Sequence, residues 1–77
     1  MNYEYRSSKL KPDKINCVRK LRIFNNFRQI DLVEKTKIKY QTIRHIELNT
    51  RKMMKNEEKK LADALGVNVY QLYEEGK

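Results

Sequence analysis

Apolar residues recur along this chain at helical steps, in blocks separated by polar breaks. Ile15, Val18 and Leu21 stand three apart and Phe24 continues the stripe. This predicts a first helix that starts near Pro12-Asp13, with Asp13 or Asn16 as its cap, and runs to about Phe24. Asn25-Asn26 ends it, since Asn accepts the left-handed residue that closes a helix where Gly is absent. A second helix is expected from Arg28 or Gln29 to Thr36, with Leu32 and Val33 buried. Only Lys37-Ile38-Lys39 separates it from a third, Tyr40 to Leu48, and the turn has an apolar residue at its centre. Two short helices joined so briefly make a helix-turn-helix pattern. Asn49-Thr50 closes the third helix. A fourth starts near Met54 or Asn56 and carries Leu61, Ala62 and Leu65 up to Gly66, with Met53 and Met54 expected to fill the core beside its polar first turns. A fifth follows from Asn68, where Asn68 and Gln71 form a capping-box pair ahead of Val69, Leu72 and Tyr73. Ahead of them all, MNYEYRSSKLKP reads as an extended or mobile arm. The expectation is an all-α chain: an arm over residues 1–12, then a compact four- to five-helix domain over residues 13–77.

The third helix poses the functional question. Wound at about 100° per residue, it places Ile43 and Ile46 on one side with Glu47 beside them. Tyr40, Gln41, Arg44 and His45 fan over the other side, and Lys37, Lys39, Arg51 and Lys52 flank the ends. One face holds the helix, and the other offers hydrogen bonds and positive charge.

Charge sharpens this. The 77 residues carry a net charge of +8, unevenly spread: residues 36–55 hold six basic groups and one acidic, residues 56–77 three basic and five acidic. A one-sided basic domain suits a polyanion. An anionic membrane is the poorer match, because the basic segment has no Trp/Phe/Leu face free to insert. A chain of this length buries only about 60% of its unfolded surface, so a core and a large substrate cavity do not both fit. No nucleophile–base pair, paired carboxylates in an apolar setting, glycine-rich phosphate loop or metal cluster stands out, which argues against an enzyme. His45 is the only histidine, and no metal or other cofactor is expected. Cys17 is a lone cysteine, read as a buried structural thiol. With no disulfide, signal segment or membrane span, the cytoplasm is the default compartment.

Three segments, VRKLR (18–22), FRQIDLVEKTKIKYQTIRHIE (27–47) and LADALGVNVYQLY (61–73), together resemble the Cro and phage-repressor type of helix-turn-helix domain, the Xre family. The resemblance covers roughly residues 15–75 and implies a lambda-repressor-like fold whose third helix enters the DNA major groove. It implies that Gln29 clamps a phosphate at the start of the second helix. It places Tyr40, Gln41, Arg44 and His45 at base-reading positions, and matches Arg22 and Glu47 to a buried ion pair tying helix one to helix three. Three positions depart from the family's pattern. Arg28 replaces a small N-cap, and Lys37 and Asn49 replace glycines; Lys37 would cost about 1 kcal/mol if held left-handed.

The chemistry of these side chains points the same way. Gln41 carries a donor and an acceptor on one amide, matching adenine N6 and N7, and Arg44 matches guanine O6 and N7. Each good bidentate contact discriminates by about 1–3 kcal/mol. Lys37, Lys39, Thr42, Arg51 and Lys52 are assigned to phosphates, which position a protein without reading sequence. The expected function is a transcriptional regulator specific for a double-stranded DNA sequence: a homodimeric repressor on a two-fold symmetric operator, with Leu48, Tyr70 and Tyr73 as candidate dimer surface. The alternative is an antitoxin or other protein-interaction module of the same fold, which takes a protein partner through the N-terminal arm and binds DNA secondarily.

Overall fold

The computed structural model describes residues 14–75; the expected arm and the Pro12-Asp13 helix start lie outside them. Four α-helices follow a short strand: β1 (Lys14–Asn16), α1 (Val18–Phe24), α2 (Gln29–Thr36), α3 (Tyr40–Glu47) and α4 (Lys55–Leu65). A single 3₁₀ turn, Val69–Leu72, leads into β2 (Tyr73–Glu75). β1 and β2 pair antiparallel, with Ile15 opposite Glu74 and Asn16 opposite Tyr73. The domain is therefore mostly helical with a small two-stranded sheet, which corrects the all-α expectation and replaces a fifth helix by one turn and a strand.

The ends of the helices explain the path of the chain. Each of the four is followed by a residue with positive φ: Asn26 (61°), Lys37 (62°), Asn49 (60°) and Gly66 (72°). After α1, α3 and α4 the next two N–H groups fold back onto the last turn. Asn26 N and Phe27 N reach Ile23 O and Arg22 O, Asn49 N and Thr50 N reach Ile46 O and His45 O, and Gly66 N and Val67 N reach Asp63 O and Ala62 O. These are three Schellman closures. After α2 a single bond, Lys37 N to Val33 O at 2.7 Å, does the same work. Asn and Gly tolerate this geometry, but Lys37 accepts it at a cost. In return Ile38, 7% exposed, enters the core at the centre of the turn. The buried Thr36 hydroxyl secures that turn by donating to Leu32 O (2.6 Å) and accepting from Ile38 N (3.2 Å).

Val18, Leu32, Ile43, Ile46, Leu61 and Leu72 are fully buried and join all four helices and the 3₁₀ turn in one core. Two members of the first predicted stripe lie outside it. A step of three residues drifts by about 60° around a helix, so Phe24, two steps beyond Val18, is turned away and 82% exposed. Ile15 is in β1, not in a helix, and is partly exposed.

Asn16 explains where α1 begins. It is buried in the strand, and its Oδ1 accepts from Val18 N at 3.1 Å, so it caps the helix from two residues before the first helical position. Its Nδ2 donates to Ile46 O (2.7 Å) and Asn49 Oδ1 (3.0 Å), and its N–H also donates to Asn49 Oδ1 (3.0 Å). One side chain thus starts α1 and ties β1 to the end of α3. At α4, Met53 packs on the core but Met54, the residue before the helix, is 59% exposed. Glu57, in the first turn of α4, is buried instead, and its Oε1 accepts from Met54 N at 2.9 Å.

Candidate nucleic-acid interface

The inner face of α3 is held by packing and by charge. Ile43 and Ile46 are fully buried and Glu47 nearly so. Arg22 grips the Glu47 carboxylate with two donors, Nε to Oε2 at 2.7 Å and Nη2 to Oε1 at 3.2 Å, and its Nη1 donates to Phe27 O at 2.8 Å. Gln29 Nε2 adds a third donor to Glu47, at 3.0 Å from Oε1. Three elements therefore converge on one carboxylate: α1 through Arg22, α2 through Gln29, and α3, which carries it. A buried carboxylate so surrounded has most of its acceptor capacity used, and the orientation of α3 is set. Gln29, expected at a phosphate, spends one amide hydrogen on this carboxylate and keeps the other.

The outer face is bare. Gln41, Arg44 and His45 are exposed, Tyr40 is 47% exposed, and Thr42 is half-buried at the edge. Lys37 and Lys39 stand on either side of the buried Ile38, ahead of the N-terminus of α3, and Lys52 is exposed beyond its C-terminal closure. Arg51 is different. Its guanidinium is bidentate to Glu57, Nη1 to Oε1 at 2.8 Å and Nη2 to Oε2 at 3.0 Å, so its charge is partly neutralised. That hydrogen bond, with the one from Met54 N, holds the Glu57 carboxyl below the usual glutamate range. Arg28 is likewise engaged, with Asp31 at 3.0 Å, and its hydrogen bonds lower the Asp31 carboxyl.

His45 has a partner that the sequence pattern did not single out. Its Nδ1 lies 3.3 Å from Thr50 Oγ1, which also donates to His45 O at 3.2 Å. The bend at Asn49 makes this contact, and such a bend is legible only once that residue is known to be left-handed. Asn16 was expected only as a helix cap, as which it does serve, while its long-range bonds, like the role of Glu57, escaped notice for a similar reason. A buried polar side chain is recognised by its partners, and those of Asn16 are some thirty residues away.

Of the three candidate dimer residues, Leu48 and Tyr70 are 62% and 74% exposed. Tyr73 stands apart: it packs on the core and donates its hydroxyl to Glu58. Burial, and then that carboxylate, push its phenol far above the ordinary range. Cys17 is half-buried with its Sγ 3.3 Å from Gln71 O, and burial raises its thiol. Among the described residues no three His, Cys, Asp or Glu side chains converge as a metal site would require, and no helix is long and apolar enough to cross a membrane.

No protein-family model matches the chain, and no curated protein does either.

Proposed function

We propose that this chain is a sequence-specific, double-stranded-DNA-binding transcriptional regulator of the Xre type, in which α2, the turn and α3 form a helix-turn-helix and α3 enters the major groove. One observation carries the reading. α3 is clamped from behind by Ile43, Ile46 and the Arg22–Glu47–Gln29 cluster, while Gln41, Arg44 and His45 stand exposed with no core role. A helix about 10–12 Å wide fits a groove about 12 Å wide. Polar side chains on such a rod meet base edges, and Lys37, Lys39 and Lys52 lie at the ends, where the phosphates pass.

Within this reading Gln41 and Arg44 read bases directly, Tyr40 and His45 extend the contact, and Thr42 lies at its edge. Arg51 contributes less than Lys52, because Glu57 already holds it. One such helix reads few base pairs, so the regulator acts as a homodimer on a two-fold operator with half-sites a helical turn apart. It represses by occupying promoter DNA in the cytoplasm.

The test is selection from a random duplex pool, followed by titration of the enriched duplex at two salt concentrations. The reading expects one enriched, two-fold symmetric site and a log affinity that falls with log salt by about 0.9 per phosphate contacted. A pool that returns no enriched site, or an affinity indifferent to salt, contradicts it. Co-purification of the chain with a small protein that blocks DNA binding would favour the antitoxin alternative.

A further inference from the structure

We propose that Thr50 fixes the tautomer of His45, so that the ring, when neutral, presents Nε2 to DNA as a hydrogen-bond acceptor. The inference rests on the reading of α3 as the base-contacting helix and adds to it a residue that positions without touching DNA.

The closure of α3 brings the two side chains together. Asn49, at φ 60°, turns the chain so that Thr50 N donates to His45 O at 3.1 Å. His45 O lies in the last turn, where carbonyls lack a helical N–H of their own. The same bend lays the Thr50 side chain over that turn, with Oγ1 at 3.2 Å from His45 O and 3.3 Å from His45 Nδ1. The hydroxyl has one proton to give and two lone pairs to offer, and a neutral imidazole carries one N–H. If the hydroxyl donates to the carbonyl, Nδ1–H can donate to the hydroxyl oxygen, and every close contact becomes a hydrogen bond. If the hydroxyl donates to Nδ1 instead, the contact from Oγ1 to the carbonyl is left without a proton. The first arrangement makes one more bond, so the ring hydrogen sits on Nδ1 and Nε2 is a bare acceptor.

This decides what His45 can recognise. His45 is exposed on the outer face of α3 with Gln41 and Arg44. A bare Nε2 accepts from an amino group in the major groove, adenine N6 or cytosine N4. The other tautomer would donate to the N7 of either purine, to guanine O6 or to thymine O4. Thr50 therefore selects whether His45 meets an amino donor or an acceptor in the groove.

His45 is the only histidine in the chain, so the imidazole nitrogens of a uniformly ¹⁵N-labelled sample belong to it alone. A long-range ¹H–¹⁵N correlation spectrum of the full chain, with the ring neutral, should show a protonated-type Nδ1 and a pyridine-type Nε2. In Thr50→Val the hydrogen should move to Nε2, and in Thr50→Ser it should stay on Nδ1. An Nε2–H tautomer in the unaltered protein overturns the proposal, a measurement that needs no variant to fold. A spectrum unchanged in Thr50→Val overturns it equally. On the selected duplexes, Thr50→Val should shift the relative affinities for the four bases at one position per half-site by about tenfold, the scale of one base contact, with Thr50→Ser unaltered. An Nδ1–H ring in a chain that binds no duplex would defeat the DNA reading, and with it the role of His45 in base choice, while the Thr50 clamp stands.

Discussion

Among the described residues, two bidentate arginine–glutamate pairs flank the third helix, and they do different things. Arg22–Glu47 is enclosed, with side chains 13% and 2% exposed, while Arg51–Glu57 is open on the arginine side, at 36% and 12%. Both carboxylates take a further donor, Gln29 for Glu47 and the Met54 N–H for Glu57. The first pair, with Gln29, joins three helices. The second closes the local stretch between α3 and α4 and caps the start of α4. Burial separates them: a charge in a dry setting is expensive to leave alone, whereas a charge beside water is readily rehydrated. The enclosed pair is thus a device for orienting α3, and the open one mainly a device for starting α4.

The largest expected effect breaks the enclosed pair. Glu47→Ala leaves the Arg22 guanidinium buried without its partner and should lower stability by about 3–5 kcal/mol, read as a fall in the urea midpoint. Glu57→Ala loses a half-open pair and one N-terminal hydrogen bond, and should cost about 1–2 kcal/mol. Equal losses from the two substitutions would erase the distinction. The depressed Glu57 carboxyl adds an acid signature. Its contribution is present above the ordinary glutamate pKa, about 4.3, and disappears as pH falls through the lower folded value. The unaltered protein should therefore lose more stability than Glu57→Gln between about pH 5 and 3, as pH-dependent thermal melts would show. Gln29→Ala removes one of three donors to Glu47 and should cost about 1 kcal/mol. A simultaneous drop in the salt dependence of duplex binding would show that the amide hydrogen left over also reaches a phosphate.

The same contrast tells how far the chain could be read from its residues alone. The order and bounds of α2, the turn and α3 follow from apolar spacing, because burial of Leu32, Ile38, Ile43 and Ile46 is what those elements exist to achieve. The Arg22–Glu47 pair was reachable through resemblance to a family and through the angle of Glu47 beside Ile43. Arg51–Glu57 was not, since six residues of loop and helix start bring its partners together, and Arg51 was assigned to a phosphate. Periodicity also failed at the two ends of the described residues. Ile15 sits three before Val18, but the long-range bonds of Asn16 hold that segment as a strand against Tyr73–Glu75. Those bonds have no local signature. Of the outward face of α3, the exposure of Gln41, Arg44 and His45 was foreseeable from winding angle, whereas the contact between Thr50 and His45 needed the left-handed Asn49.

The measurement closest to the central claim compares Gln41→Ala with Lys52→Ala on the selected duplex and on duplexes altered one base pair at a time. Both side chains are exposed and neither holds the core. If α3 reads bases, Gln41→Ala changes which duplex binds best, while Lys52→Ala weakens all of them alike and lowers the salt slope by about 0.9. If Gln41→Ala leaves the order of preference intact, α3 is not the reading element.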